Sequence, residues 1–143
     1  MTELHEVNNL FLKMCPNVQD EWNKHLEWWK GDERGQYNDV AVFVHHTADC
    51  YEQNDQPCLN KIFSLVENLI LDGTEEVRGL MIVGFLETLQ TCASNRDYGY
   101  KVFESYLGSE SQKAWRQLET LWEGKHSLLD VVRFQQAPKS RSE

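Results

Sequence analysis

Apolar residues recur at steps of three and four through most of this chain, and glycine, proline or asparagine punctuates the stretches between them. That period lines one face of an α-helix, so the chain is constrained to fold as amphipathic helices that bury those faces against one another. A chain of 143 residues is long enough for one hydrophobic core and short for two. The expected fold is all-α, a compact single-domain bundle of about seven helices over residues 1–136, with a flexible tail at 137–143 that lacks apolar anchors.

The helices can be placed from their stripes and their punctuation. Leu4, Val7, Leu10, Phe11 and Met14 mark the first, which Pro16 ends, leaving Asn17 to cap the second. Val18, Trp22, Leu26 and Trp29 form the stripe of the second helix, Trp28 lies off it, and Gly31 stops it. Tyr37, Val40, Val44, Ala48 and Tyr51 mark the third. Pro57 suits the opening of a fourth helix, whose wide apolar face includes Leu59, Ile62, Phe63, Val66 and Leu69. Thr74 caps the fifth, with Glu75 and Glu76 in its first turn. Tyr98 to Leu107 reads as a short sixth helix that Gly99 weakens. The run Ser109-Glu110-Ser111-Gln112 reads as a capping box opening a seventh that carries Trp115, Leu118 and Trp122. The apolar run at 128–134 fits a short helix or a strand.

The fourth and fifth helices, joined at Asp72-Gly73-Thr74, form the expected antiparallel hairpin at the centre of the bundle. The segment Asp72-Gly73-Thr74-Glu75-Glu76-Val77-Arg78 resembles the turn of a HEAT-type helical repeat. One such unit cannot build a solenoid, so the likeness implies local hairpin geometry within a compact bundle.

The net charge of −9 is unevenly placed: residues 1–72 hold 5 Lys/Arg against 13 Asp/Glu, and residues 73–143 hold 9 against 10. Such a field repels phosphate backbones and anionic membranes and favours a basic partner, so neither nucleic acid nor a membrane is expected as a direct ligand. The N-terminus has neither a basic nor an apolar leader region, and Cys15, Cys50, Cys58 and Cys92 are scattered without a C-x-x-C pair. They read as reduced thiols of a cytoplasmic protein, serving as small buried hydrophobes.

Catalytic patterns are missing. No serine sits in a G-x-S-x-G elbow, no cysteine has a nucleophile's local context, and no carboxylate pair is singled out for acid–base work, so the chain is read as no enzyme. No metal or cofactor is assigned. Were a metal held, its candidate ligands would be His45, His46, Asp49 and Cys50, which pair at i to i+4 along the third helix. The bland reading of these residues is one histidine packed at the helix boundary and the other in solvent. What remains is surface: an aromatic residue, Trp28, off the apolar stripe, with Tyr37 beyond it and Glu21, Asp32, Glu33 and Asp39 nearby in sequence. Aromatic anchors ringed by acids suit a basic protein partner.

Small size, acidity, reduced cysteines, a helical bundle and missing catalytic motifs together resemble the bacterial immunity proteins that neutralise toxins. The resemblance implies a cognate toxin, commonly a basic nuclease, whose active-site region is covered by acidic side chains. Under it, Glu21, Trp28, Asp32, Glu33, Tyr37 and Asp39 are the expected partner contacts. Two other readings stay open at this point: a metal-binding helical enzyme or sensor using the His/Asp/Cys helix face, and a generic helical adaptor or assembly subunit. The sequence leaves the oligomeric state undecided.

Overall fold

The computed structural model describes residues 1–121. Trp122, the apolar run at 128–134, the domain end at 136 and the tail at 137–143 lie outside the described residues. Within them the chain forms seven helices and no strand. Helix α1 is a 3-10 turn, Leu4–Glu6, running into Val7–Met14, and α2 is a second such turn, Pro16–Val18, running into Gln19–Trp28. Helices α3 (Gln36–Glu52) and α4 (Gln56–Asp72) follow. Helix α5 is continuous from Glu75–Gly79 through a widened, π-type stretch, Leu80–Glu87, to Thr88–Ser94. The short α6 is 3-10 throughout (Tyr100–Tyr106), and α7 spans residues 109–121.

The core is a ladder of aromatic rings that runs through the helices. Phe11 of α1 stacks on Phe43 of α3 at 4.8 Å and on Phe85 of α5 at 5.6 Å, and Trp22 of α2 stacks on Phe43 at 5.4 Å. Phe63 of α4 meets Phe85 edge-on at 6.3 Å and lies 5.9 Å from Phe103 of α6. Offset and edge-on pairs of this kind add about 0.5–1.5 kcal/mol each beyond the area they bury. Phe11, Trp22, Phe63 and Phe85 lie on apolar faces legible in the sequence, whereas Phe43 and Phe103, equally buried, lie beside the stripes read for α3 and α6.

The central hairpin forms as expected. Gly73 turns so tightly that a Cβ there would lie 2.4 Å from the Leu69 carbonyl oxygen and 2.5 Å from Val77 Cγ1, so no other residue fits without a shift. The Thr74 hydroxyl caps α5 by accepting from the Val77 N–H at 3.3 Å. The N-terminus adds a clasp that the sequence did not announce: Thr2 N–H donates to the Asp72 carbonyl at 2.9 Å, and Thr74 N–H donates to the Thr2 carbonyl at 3.0 Å. Within the π-type stretch Gly84 brings bare backbone against α3, because a Cβ would stand 3.2 Å from both Tyr37 Cδ2 and Val40 Cγ1.

Three local expectations are corrected. Helix α2 starts at Pro16 itself, so Asn17 lies inside the opening turn and Cys15, not Asn17, is the junction residue. The sixth helix is 3-10 rather than α, entered through Gly99 at φ +74. Ser109 and Gln112 form no capping box; α7 is capped instead from α4. The Glu67 carboxylate accepts from the N–H groups of Glu110 and Ser111 at 3.0 and 2.9 Å and from the Ser111 hydroxyl at 2.8 Å. Gln112 instead donates to the Leu107 carbonyl at 3.4 Å. Gly108 makes room for this approach, since a Cβ there would lie 2.4 Å from Glu67 Cδ.

Burial opposes ionisation of Glu67, but the two backbone donors and the hydroxyl outweigh it and hold its pKa below the ordinary glutamate value. A depressed folded-state pKa contributes stability that is fully present above the ordinary value and fades as the pH falls through the lower, folded one. Glu67→Ala is therefore expected to lower stability by about 1–2 kcal/mol at neutral pH, with the gap to the parent chain closing in acid. Denaturant midpoints for both chains across pH 3 to 7 check this, and Gly108→Ala should show the same pattern without adding to it.

Candidate functional site

Two regions concentrate chemistry, and they are built differently. The first is the end of α2 with the connection to α3. Residues 29–35 turn through two glycines at positive φ, Gly31 at +90 and Gly35 at +78, a backbone that only glycine takes up without strain. Trp28, the last residue of α2, is 82% exposed, more than any other described aromatic. Asp20, Glu21, Glu27, Asp32 and Glu33 are exposed along the same stretch, against exposed Lys24 and Lys30. Among the described residues Glu21 alone of these acids makes an ion pair, with Lys24 at 3.6 Å, and both partners are largely in solvent. Leu26 also reaches solvent and Trp29 is half-buried, so the outer half of the predicted α2 stripe stays open while Val18 and Trp22 are buried. Tyr37 is 53% exposed, with one ring edge against the Gly84 backbone.

Asp39 does not belong to this surface, and here the expectation is corrected. It is 3% exposed and serves as the internal hub of the N-terminal half. Its Oδ1 accepts from His25 Nε2 at 2.8 Å and from Arg34 Nε at 2.7 Å, and its Oδ2 accepts from Asn8 Nδ2 at 3.1 Å. One carboxylate thereby ties α1, α2 and the α2–α3 connection to the first turn of α3, where a negative charge also meets the favourable end of the helix dipole. The Arg34 guanidinium lies over the Trp22 ring at 5.8 Å. The sequence places Asp39 among surface acids because its spacing alone does not show that α1 and α2 converge on it.

The second region lies where α1 meets α2 and where α3 turns into α4, and most of it escaped the sequence reading. Cys50 Sγ stands 3.0 Å from Cys58 Sγ and 3.4 Å from His46 Nε2. Cys58 Sγ is 3.7 Å from His46 Nε2 and 4.0 Å from Cys15 Sγ. Of the four helix-face candidates, His46 and Cys50 converge here. His45 and Asp49 do not: His45 Nδ1 faces Cys92 Sγ at 3.6 Å, beside the Arg96 and Glu52 pair, and Asp49 is exposed. The connection after α3 is short, Gln53–Asp55, and it folds Cys58 in the first turn of α4 back onto Cys50. Asp55 caps that helix, accepting from the Cys58 N–H at 3.2 Å.

Burial, followed by the neighbouring Cys58, pushes the Cys15 thiol up to about 12, and burial likewise raises Cys50. Burial lowers His46, which keeps its imidazole neutral with a lone pair to offer. The i to i+4 spacing of His46 and Cys50 was a legible signal for two of these residues, and Cys58 joins them only because the short turn after α3 folds it back. Cys15, 43 positions from Cys58, comes in only through tertiary packing.

The hub is the testable part of this geometry. Removing the Asp39 carboxylate strands two buried donors and part of a guanidinium, so Asp39→Ala should lower stability by about 2–4 kcal/mol. Asp39→Asn, which keeps an acceptor oxygen, should lose less. Thermal unfolding of the two variants beside the parent chain checks the order.

No curated protein and no solved structure matches the chain. The family model described as Domain of unknown function (DUF7674) matches residues 8–123, a span that includes Asp39, Trp28 and the whole Cys/His cluster, and the chain belongs to that family.

Proposed function

We propose that this chain works by binding a basic protein partner through the end of α2 and the α2–α3 connection. One observation carries the reading: Trp28 is 82% exposed at a helix end where Asp20, Glu21, Glu27, Asp32 and Glu33 are all in solvent. A ring of that size left in water is a natural anchor for a pocket, and acids that outnumber Lys24 and Lys30 around it accelerate encounter with a positive surface. The Asp39 hub holds the connection in place from beneath, so the surface is ordered before it meets a partner, which lowers the entropy lost on binding. Among basic partners, the likeness to immunity proteins favours a secreted or contact-delivered nuclease toxin, blocked by acids laid over its active-site region. Glu21, Trp28, Asp32, Glu33 and Tyr37 are the contacts in this reading, and Asp39 supports them from inside.

Within the described residues no helix is long and apolar enough to cross a membrane, which fits a partner met in aqueous surroundings. The test is to sequence the adjacent upstream reading frame and, if it encodes the C-terminal domain of a large secreted protein, to co-express that domain with this chain and measure toxicity and binding. Neutralisation of that domain is expected. Trp28→Ala should weaken the complex by about 2 kcal/mol or more, roughly 30-fold. The triple reversal Glu21→Lys, Asp32→Lys, Glu33→Lys should slow association by about 10- to 100-fold at low salt while circular dichroism stays unchanged. Association rates equal to those of the parent chain would remove the acidic surface from the account.

A further inference from the structure

We propose that Cys15, His46, Cys50 and Cys58 form a closed, tetrahedral site for a structural Zn2+ ion. With Zn–S near 2.3 Å and Zn–N near 2.0–2.1 Å, tetrahedral coordination sets ligand atoms about 3.8 Å apart for two sulfurs and about 3.5 Å for sulfur and nitrogen. Cys15, His46 and Cys58 approach that spacing, their ligand atoms all lying within 4.8 Å of one another, and Cys50 joins them through His46 and Cys58. The two sulfur–nitrogen edges from His46 measure 3.4 and 3.7 Å, and the Cys15–Cys58 edge measures 4.0 Å. The Cys50–Cys58 edge, at 3.0 Å, is shorter, the Cys50 S–H donating to Cys58 Sγ. It widens once both are thiolates around a cation.

The donor set selects the ion. Three sulfurs and one imidazole suit a borderline-soft, tetrahedral cation and disfavour magnesium or calcium, which demand oxygen. Four protein ligands leave no open position, so the site is structural rather than catalytic. Its ligands come from three places in the fold: the α1–α2 junction, the last turns of α3 and the first turn of α4. A bound ion therefore cross-links segments up to 43 positions apart. Cys92, the fourth cysteine, stands apart with His45 and Arg96 and serves as an internal control.

The experiment uses the full chain, purified under reducing conditions with no histidine tag and titrated with Zn2+ alone. One zinc per chain is expected, with three thiols protected from alkylation and Cys92 still reactive. Co2+ in its place should give the thiolate charge-transfer and intense visible bands of a tetrahedral sulfur-rich centre. Cys58→Ser and His46→Ala should weaken binding on the order of 100-fold or more, while Cys92→Ser binds as the parent does. If Cys58→Ser fails to fold, alkylation mapping of the parent chain decides the matter by itself. The proposal is overturned if zinc leaves all four thiols equally reactive, if Cys92→Ser loses the metal as fully as Cys58→Ser, or if chain kept under zinc carries a Cys50–Cys58 disulfide instead.

Discussion

The fold depends on the stack of rings through its middle, in which Phe11, Phe43 and Phe85 lie nearly parallel and Trp22 extends the pile outward. Each ring comes from a different helix. Flat rings pack closely only at defined offsets, so the stack sets how α1, α2, α3 and α5 lie against one another more narrowly than a set of aliphatic side chains would. The remaining features of the N-terminal half follow from that placement. Once α1 and α2 converge on the start of α3, Asn8, His25 and Arg34 are brought to a single carboxylate, and a buried charge is tolerable because three donors meet it.

The same convergence leaves part of α2 uncovered. Val18 and Trp22 are used by the core, while Leu26 and Trp28 run past its edge into solvent. An exposed tryptophan next to a rigid, glycine-framed connection gains no folding energy where it sits, which makes a binding role the more economical explanation of its position. The interior and the surface of this stretch thus divide the acids between them: Asp39 holds the connection together and its neighbours face outward.

Helix number, several helix ends and the central hairpin were legible in the sequence because each rests on local period and local punctuation, such as Gly31, Pro57 and the Asp72-Gly73-Thr74 turn. What the sequence concealed were partnerships between distant residues. Glu67 replaces Ser109 as the cap of α7 from 43 and 44 positions away, and nothing in a Ser-x-x-Gln spacing reveals a competing carboxylate from another helix. Asp39 looked like one more surface acid for the same reason. Trp28 was legible as exposed because it falls off its helix's apolar stripe, whereas Tyr37 belongs to the stripe of α3 and is half open only because it sits at the helix's first turn. The Cys/His cluster was half legible: His46 and Cys50 share a helix face, but Cys58 needs the α3–α4 turn and Cys15 needs the whole core to bring it in.

We propose one end of this bundle as a preformed docking surface, with the rest as its frame. Hydrogen exchange of the chain alone and bound to a basic partner protein distinguishes the two parts. New protection confined to residues 19–37 is expected, with α6 and α7 exchanging as they do in the free chain. Protection centred on α6 and α7, or none around Trp28 in a complex that does form, would contradict it.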